Sequence, residues 1–276
     1  MLEHYRKENF FRLNVTLITF KHPTEYLTTM FRSLSVVLAL FATILAAFAE
    51  TNVINPKSNL RLATNAPLIP LGECSEFAVM AGTSASFNGQ LTTIYSGDVG
   101  VSPGTSLTGN YKLNSGSVEV TSTKSNQCAS DRITAYNAAQ AAVCPPSNIL
   151  NELSGRTLFP GVYCAVTAPM TFSAGTLTLD AQGDTSAVWV FQASSSLVTA
   201  PYTSFILENG AQSTNIFWQI SSSATLGYSS SFVGTIIAYS SVSVQTDTVL
   251  NGRALAGAGT SFAGDDSITL PAVITY

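Results

Sequence analysis

In the second half of the chain, apolar and polar residues alternate in short runs bounded by Gly, Ser, Asn or Asp: 176–180, 187–192, 204–207, 215–220, 235–238, 242–245 and 267–270. Alternation with a period of two predicts strands buried on one side. Asn209-Gly210 and Asn251-Gly252 leave local hairpins open, but a repeat points elsewhere. Gln192-Ala193-Ser194-Ser195-Ser196 returns as Gln219-Ile220-Ser221-Ser222-Ser223, and the same offset of 27 residues carries Ser204 onto Ser231 and Phe205 onto Phe232. A period of this size marks coils that bury their apolar side only by stacking on neighbours. A shorter echo relates Ser222-Ser223-Ala224 to Ser240-Ser241-Val242, so the coils are unequal in length. The expected fold is mostly β, an irregular β-solenoid (β-helix).

One stretch, 129–143, reads as a helix packed alongside. Ser130-Asp131 is the expected cap, alanines are abundant, and Cys144-Pro145-Pro146 ends the segment because proline lacks an amide hydrogen and restricts the residue before it. Ile133, Tyr136 and Gln140 with the alanines form a small-residue face suited to a sheet. Within the strands, alternation places Thr178, Thr225, Ser243, Gln245 and Thr269 outward and their apolar neighbours inward. Stacked coils would set such hydroxyls in rows about 4.8 Å apart.

Composition sharpens this picture. Only 10% of the chain is charged, whereas 34 of its 276 residues are serines and 32 are threonines, so neutral hydroxyls must cover much of the surface. Met30-Phe31-Arg32, the apolar run 34–46 and the small-x-small site Ala47-Phe48-Ala49 read as a secretory signal at 30–49, with 1–29 an upstream extension. That apolar run is shorter than the roughly 20 residues a spanning helix needs, so no membrane anchor is expected. Residues 50–70 read as a linker and 71–276 as one domain. After Ala49 there are seven Lys and Arg against thirteen Asp and Glu, which argues against a nucleic-acid partner.

An exported chain is expected to oxidise its cysteines, here Cys74, Cys128, Cys144 and Cys164. A helix over 129–143 separates Cys128 from Cys144 by a rod of about 20 Å, too far for one bridge. Two pairings remain, and Cys74 with Cys128 and Cys144 with Cys164 is the expected one.

Catalytic chemistry finds little support in the residues. Both histidines, His4 and His22, precede the export site, which leaves the domain without a nucleophilic triad or the usual zinc and copper ligands. Asp180, Asp184, Asp265 and Asp266 could serve a glycosidase or hold calcium, but a glycosidase needs two carboxylates across the scissile bond, and turn roles suit these residues better. Gly97-Asp98-Val99-Gly100 has phosphate-loop spacing without a following helix signal and reads as a turn. Trp189, Trp218, Tyr202, Tyr228 and Tyr239 could form a sugar-stacking platform in a cell-surface or polysaccharide-binding module.

In order along the chain, FAVMAG (77–82), GDVGVSPG (97–104), AYNAA (135–139), GRTLFPGVY (155–163), GTLTLDAQGD (175–184), AVWVFQ (187–192), NIFWQISSSATLG (215–227), GTIIA (234–238) and NGRALA (251–256) resemble the microbial ice-binding proteins. The resemblance implies a right-handed solenoid of triangular cross-section with a helix inserted between early and late coils. It also implies a secreted protein that binds the ice crystal surface, inhibits ice growth and recrystallisation, and needs no cofactor or metal. Look-alike domains serve as adhesion modules. The family's ice face often carries Thr, a small residue, any residue, then Thr or Asn at coil corners. The corresponding stretches here look like Thr199-Ala200-Pro201-Tyr202, Leu226-Gly227-Tyr228-Ser229 and Thr246-Asp247-Thr248-Val249, none of which ends in Thr or Asn. The expected ice face comprises Ser223, Thr225, Ser243, Thr246, Thr248 and Thr269, extended by Thr176, Thr178 and Thr199.

Overall fold

The computed structural model describes residues 66–272; the expected upstream extension, the signal and the linker up to residue 65 lie outside them. Five strands come first: β1 (Phe77–Ala81), β2 (Ser84–Ile94), β3 (Asp98–Val101), β4 (Ser106–Leu113) and β5 (Val118–Val120). Helix α1 (Thr123–Ala141) follows. The chain continues through β6 (Thr157–Leu158), β7 (Gly161–Ala165), β8 (Met170–Phe172), β9 (Thr176–Asp180), β10 (Trp189–Ala193), β11 (Leu197–Thr199), β12 (Ser204–Glu208) and β13 (Ile216–Ile220). It closes with β14 (Ala224–Leu226), β15 (Ser231–Ala238), β16 (Val242–Val244), β17 (Val249–Ala256), β18 (Gly259–Phe262) and β19 (Ser267–Thr269).

Successive coils pair in parallel and define three faces. Gln192 lies opposite Gln219, the 27-residue repeat made physical, and Ala224 lies opposite Val242, the shorter echo. Face a stacks β7, β10, β13, β15, β17, β1, β3 and β5; face b stacks β8, β11, β14, β16, β18, β2 and β4. Face c takes β6, β9 and β12 on one side and the first part of β15 and β17, then β19 and the ends of β2 and β4, on the other. The fold is the irregular β-solenoid that the repeat predicts, with the three-sided section that the resemblance implies. Its order in space is not its order in sequence. The last coil meets the first, with Val79 opposite Ala254, so the N-terminal coils extend the stack beyond β17. Helix α1 then returns the chain along face a. Its 19 residues span about 28 Å, close to six inter-strand spacings of about 4.8 Å.

The core is filled by inward columns running through the stack. On face a, Tyr163, Phe191 and Trp218 occupy one column, and Phe191 stacks on Trp218 with ring centroids 4.0 Å apart. Phe172, Phe205 and Phe232 close around the same indole. A second apolar layer lies outside face a, where Val162, Val190, Phe217, Ile237, Leu255 and Met80 are buried beneath Cys128, Ala135, Tyr136 and Ala139 of α1. The small side chains admit the helix closely, as the alanine content predicts, but Ile133 points away and is 53% exposed.

The helix starts earlier than expected. Ser122 caps it in a reciprocal arrangement with Ser125, whereas Ser130 and Asp131 lie mid-helix. The polar first turns hide this start from a reading based on apolar spacing, and Asp131 caps a different segment by accepting the Glu73 amide at 2.8 Å. At the other end, the Gln192 side chain reaches from β10 and donates to the carbonyls of Ala139 and Ala142, both at 2.7 Å, meeting acceptors a helix end leaves open. Disulfides Cys74–Cys128 and Cys144–Cys164 anchor α1 and the segment after it, the pairing expected from sequence. The described part of the expected linker also belongs to the fold, for Ala66 and Ile69 are buried in the helix layer.

Candidate functional site

Of the three faces, a lies under the helix, leaving b and c. Face b is one unbroken parallel sheet of seven strands. Its outward column is Thr171, Val198, Thr225, Ser243, Ser261, Ser86 and Thr108. Two residues earlier in each of six coils stand Ser196, Ser223, Ser241, Gly259, Ser84 and Ser106. At an inter-strand spacing of about 4.8 Å, seven rungs extend some 29 Å. No charged residue interrupts these rows. A carboxylate appears only at one end, where Glu152 bridges to Thr171. Burial disfavours its charge, but hydrogen bonds from Ser154, Ser173 and Thr171 outweigh that and hold the carboxyl down at about 2.

Rigidity comes from below and from the corner with face c. Met170, Leu197, Ala224, Val242 and Ala85 back the strands and are buried. Neighbouring rungs hold one another: the Ser261 hydroxyl donates to Ser243 Oγ at 3.1 Å, and the Ser241 amide donates to Ser223 Oγ at 3.3 Å. At the corner, Tyr202, Ser229, Asp247 and Asp265 take left-handed backbone conformations with φ of 59, 52, 59 and 55°. Behind them Thr203, Ser230, Thr248 and Asp266 form a buried polar column. Ser230 Oγ accepts from the Thr203 amide, and Asp266 accepts the amides of Thr248 and Gly264. Burial pushes Asp266 up to about 6 despite those two bonds, with Asp247 and Asp265 adding repulsion.

Face c is less uniform. Its strands fall into two sheets, because no ladder joins β12 to β15. Thr176 and Ser204 share a hydroxyl contact of 2.9 Å, and the outward column at its far end reads Val249, Ser267, Thr93 and Lys112. Asp180 pairs in register with Glu208.

The expected site residues therefore separate. Ser223, Thr225 and Ser243 lie together on face b, and Thr246 is exposed at its edge. Thr176, Thr178 and Thr269 lie on face c, because alternation distinguishes in from out but not one side of a prism from another. Thr199 and Thr248 cannot offer hydroxyls outward: they are 4% and 0% exposed, and they engage the Gly227 amide and carbonyl respectively. Sequence reasoning missed Thr171, Ser196, Ser241, Ser261, Ser84, Ser86, Ser106 and Thr108. The offset of 27 carried back from Thr225 reaches Val198 and Thr171, and the spacing of the shorter echo carried forward from Ser243 reaches Ser261, so part of this row was within reach. Ser196 and Ser241 stand at the same two offsets from Ser223, whereas Ser84, Ser86, Ser106 and Thr108 lie across the junction of last coil and first.

Other candidates are likewise placed. Trp189 and Trp218 are fully buried and offer no platform, while Tyr202 and Tyr228 meet edge to face at 5.1 Å on the corner. Asp180 and Asp184 are taken up by turns, accepting from Gln182, Asn209 and Ser186, which lowers both from the ordinary carboxylate value. Asp98 begins a strand rather than completing a turn, and it accepts from Lys124 at 2.5 Å.

A stacked-coil domain with an axial helix and one uncharged hydroxyl face is a β-solenoid whose open sheet is its candidate binding surface. The Ice-binding-like family model matches residues 79–266, and this chain belongs to that family. An ice-binding protein of Nostoc sp. (strain HG1) is 38% identical over 201 residues, covering 71% of this chain and 72% of the relative. One from Leucosporidium sp. (strain AY30) is 32% identical, covering 68% and 78%. Among solved structures, an ice-binding protein from an Antarctic biological consortium superposes with a TM-score of 0.71 at 41% identity, covering 76% of this chain and 94% of that one.

Proposed function

We propose that this chain is an exported, non-catalytic protein that adsorbs to ice through face b and so restrains ice growth and recrystallisation. The observation that carries the reading is the unbroken run of seven uncharged rungs in register on a braced sheet. Ice presents a rigid lattice of water with no charge and no pocket, so a binder gains only from many weak contacts made at once. A net hydrogen bond contributes about 1 kcal/mol, and every mobile side chain frozen at the contact costs entropy. Threonine is stiff at χ1, and serine is short, so little freedom is lost. Lysine or glutamate, with long stems and tightly held hydration, would oppose a lattice match; face c carries Lys112, Asp180 and Glu208, and face b does not.

The two disulfides support an extracellular location, with 30–49 as the export signal and the solenoid as the mature domain. A fluorescently labelled domain should enter a growing ice hemisphere while leaving insoluble polysaccharide bare. Retention on the polysaccharide with exclusion from ice would overturn this reading.

A further inference from the structure

At the corner between faces a and b, a cleft of about 500 Å³ lies where α1 meets the ends of β15 and β17; its walls include Arg132, Ile133, Tyr136, Asn137, Tyr239 and Ser240. Two arginines of the described residues are drawn into the protein here and nearby, and they are treated differently. Arg253 uses three nitrogens, donating twice to the Ser75 carbonyl and once to Thr235 Oγ1. Among the described residues, Arg132 makes one long contact, 3.4 Å to the Ala238 carbonyl, and meets no carboxylate. Its helix neighbours at one turn are Cys128, Ala129, Ala135 and Tyr136, and the adjoining segment 256–258 is Ala-Gly-Ala, so none supplies a counter-charge. Burial alone lowers its pKa. Most of its donors are unspent on the protein and face the open cleft, where a ligand can take them in place of water.

The rest of the cleft indicates what that is. Tyr136 and Tyr239 form a tilted wall with centroids 6.1 Å apart, Tyr239 is 68% exposed, and the apolar Ile133 stands beside them. Flat apolar surface next to a planar fork of N–H donors fits a ring that carries a carboxylate.

We propose that this cleft binds small ring carboxylates, the carboxylate on Arg132 and the ring against Tyr239 and Ile133. Two sources share this chemistry, aromatic acids and sugar acids, and benzoate and glucuronate represent them. Titration by calorimetry and ligand-detected NMR should find at least one with Kd on the order of 1 mM, as a partly open site with one ion pair allows. Benzyl alcohol and glucose, which lack the carboxylate, should not bind. Arg132→Gln should weaken binding roughly tenfold or more, Arg132→Lys less, and Tyr239→Ala several-fold. Ice adsorption should not change in any of them, since the cleft shares no residue with face b. Equal affinity in Arg132→Gln, equal binding of the neutral analogues, or no binding of either acid at tenfold that concentration would overturn the proposal.

Discussion

Thr225 sits near the middle of face b, with Val198 and Ser243 about 4.8 Å to either side, and it projects outward from a buried pair, Ala224 and Leu226. Replacing it with tyrosine leaves the core untouched and suits a strand, so stability should stay within about 0.5 kcal/mol, a change of one or two degrees in Tm for a domain this size. The effect on ice should be far larger. Ice cannot bend around a ring that stands above the plane, and a gap of about 1 Å already forfeits a quarter to a half of each dispersion contact. Three of the seven rungs, at Val198, Thr225 and Ser243, lose contact outright, and the plane tilts away from the others. Thermal hysteresis measured in a nanolitre osmometer should therefore fall below about half. Thr178→Tyr, the same change on face c, should leave it unaltered. Full activity in a folded Thr225→Tyr protein, or an equal loss in Thr178→Tyr, would refute the choice of face.

Further expectations concern the scaffold. Asp266 holds its proton to about pH 6 when folded but only to about 3.9 when unfolded, so its own contribution to stability should be fully present below that window and fall by roughly 2–3 kcal/mol as pH rises through it; urea titrations at pH 4 and 7 measure this, and Asp266→Asn should flatten the dependence. Glu152 acts in the opposite sense, its contribution being present above its unfolded value and lost as pH falls toward about 2, a difference that acid unfolding of Glu152→Gln should expose. Removing Cys74–Cys128, which closes 54 residues, should cost about 4 kcal/mol, and removing Cys144–Cys164, which closes 20, about 3, read from denaturant midpoints of the paired alanine variants. Gln192→Leu strips the Ala142 carbonyl of its donor and leaves that of Ala139 only the long bond from the Ala142 amide, which should destabilise the fold by about 1–3 kcal/mol while leaving ice activity intact, a separation visible by running thermal melts and hysteresis on one preparation.

The sequence by itself determined the coils. Its alternation found the later strands, the offset that carries Gln192 onto Gln219 is the observed register, and the small helix face and the cysteine spacing led to the observed disulfides. These properties depend on local periodicity or on chain length. It also determined that Thr225 and Thr178 both point outward, since alternation tells the buried side of a strand from the open one. Only the tertiary structure decided that they point in different directions, because the turns at the corners set the side of the prism and leave no mark on the strand pattern. The junction of Ala254 with Val79 was equally out of reach: residues far apart in the chain meet there through a helix that runs back along the stack. That junction brings Ser84, Ser86, Ser106 and Thr108 into line with Ser243 and Ser261, extending a row of five rungs to seven. A repeat within the chain cannot announce such a contact, because the stacking that creates it happens between its ends.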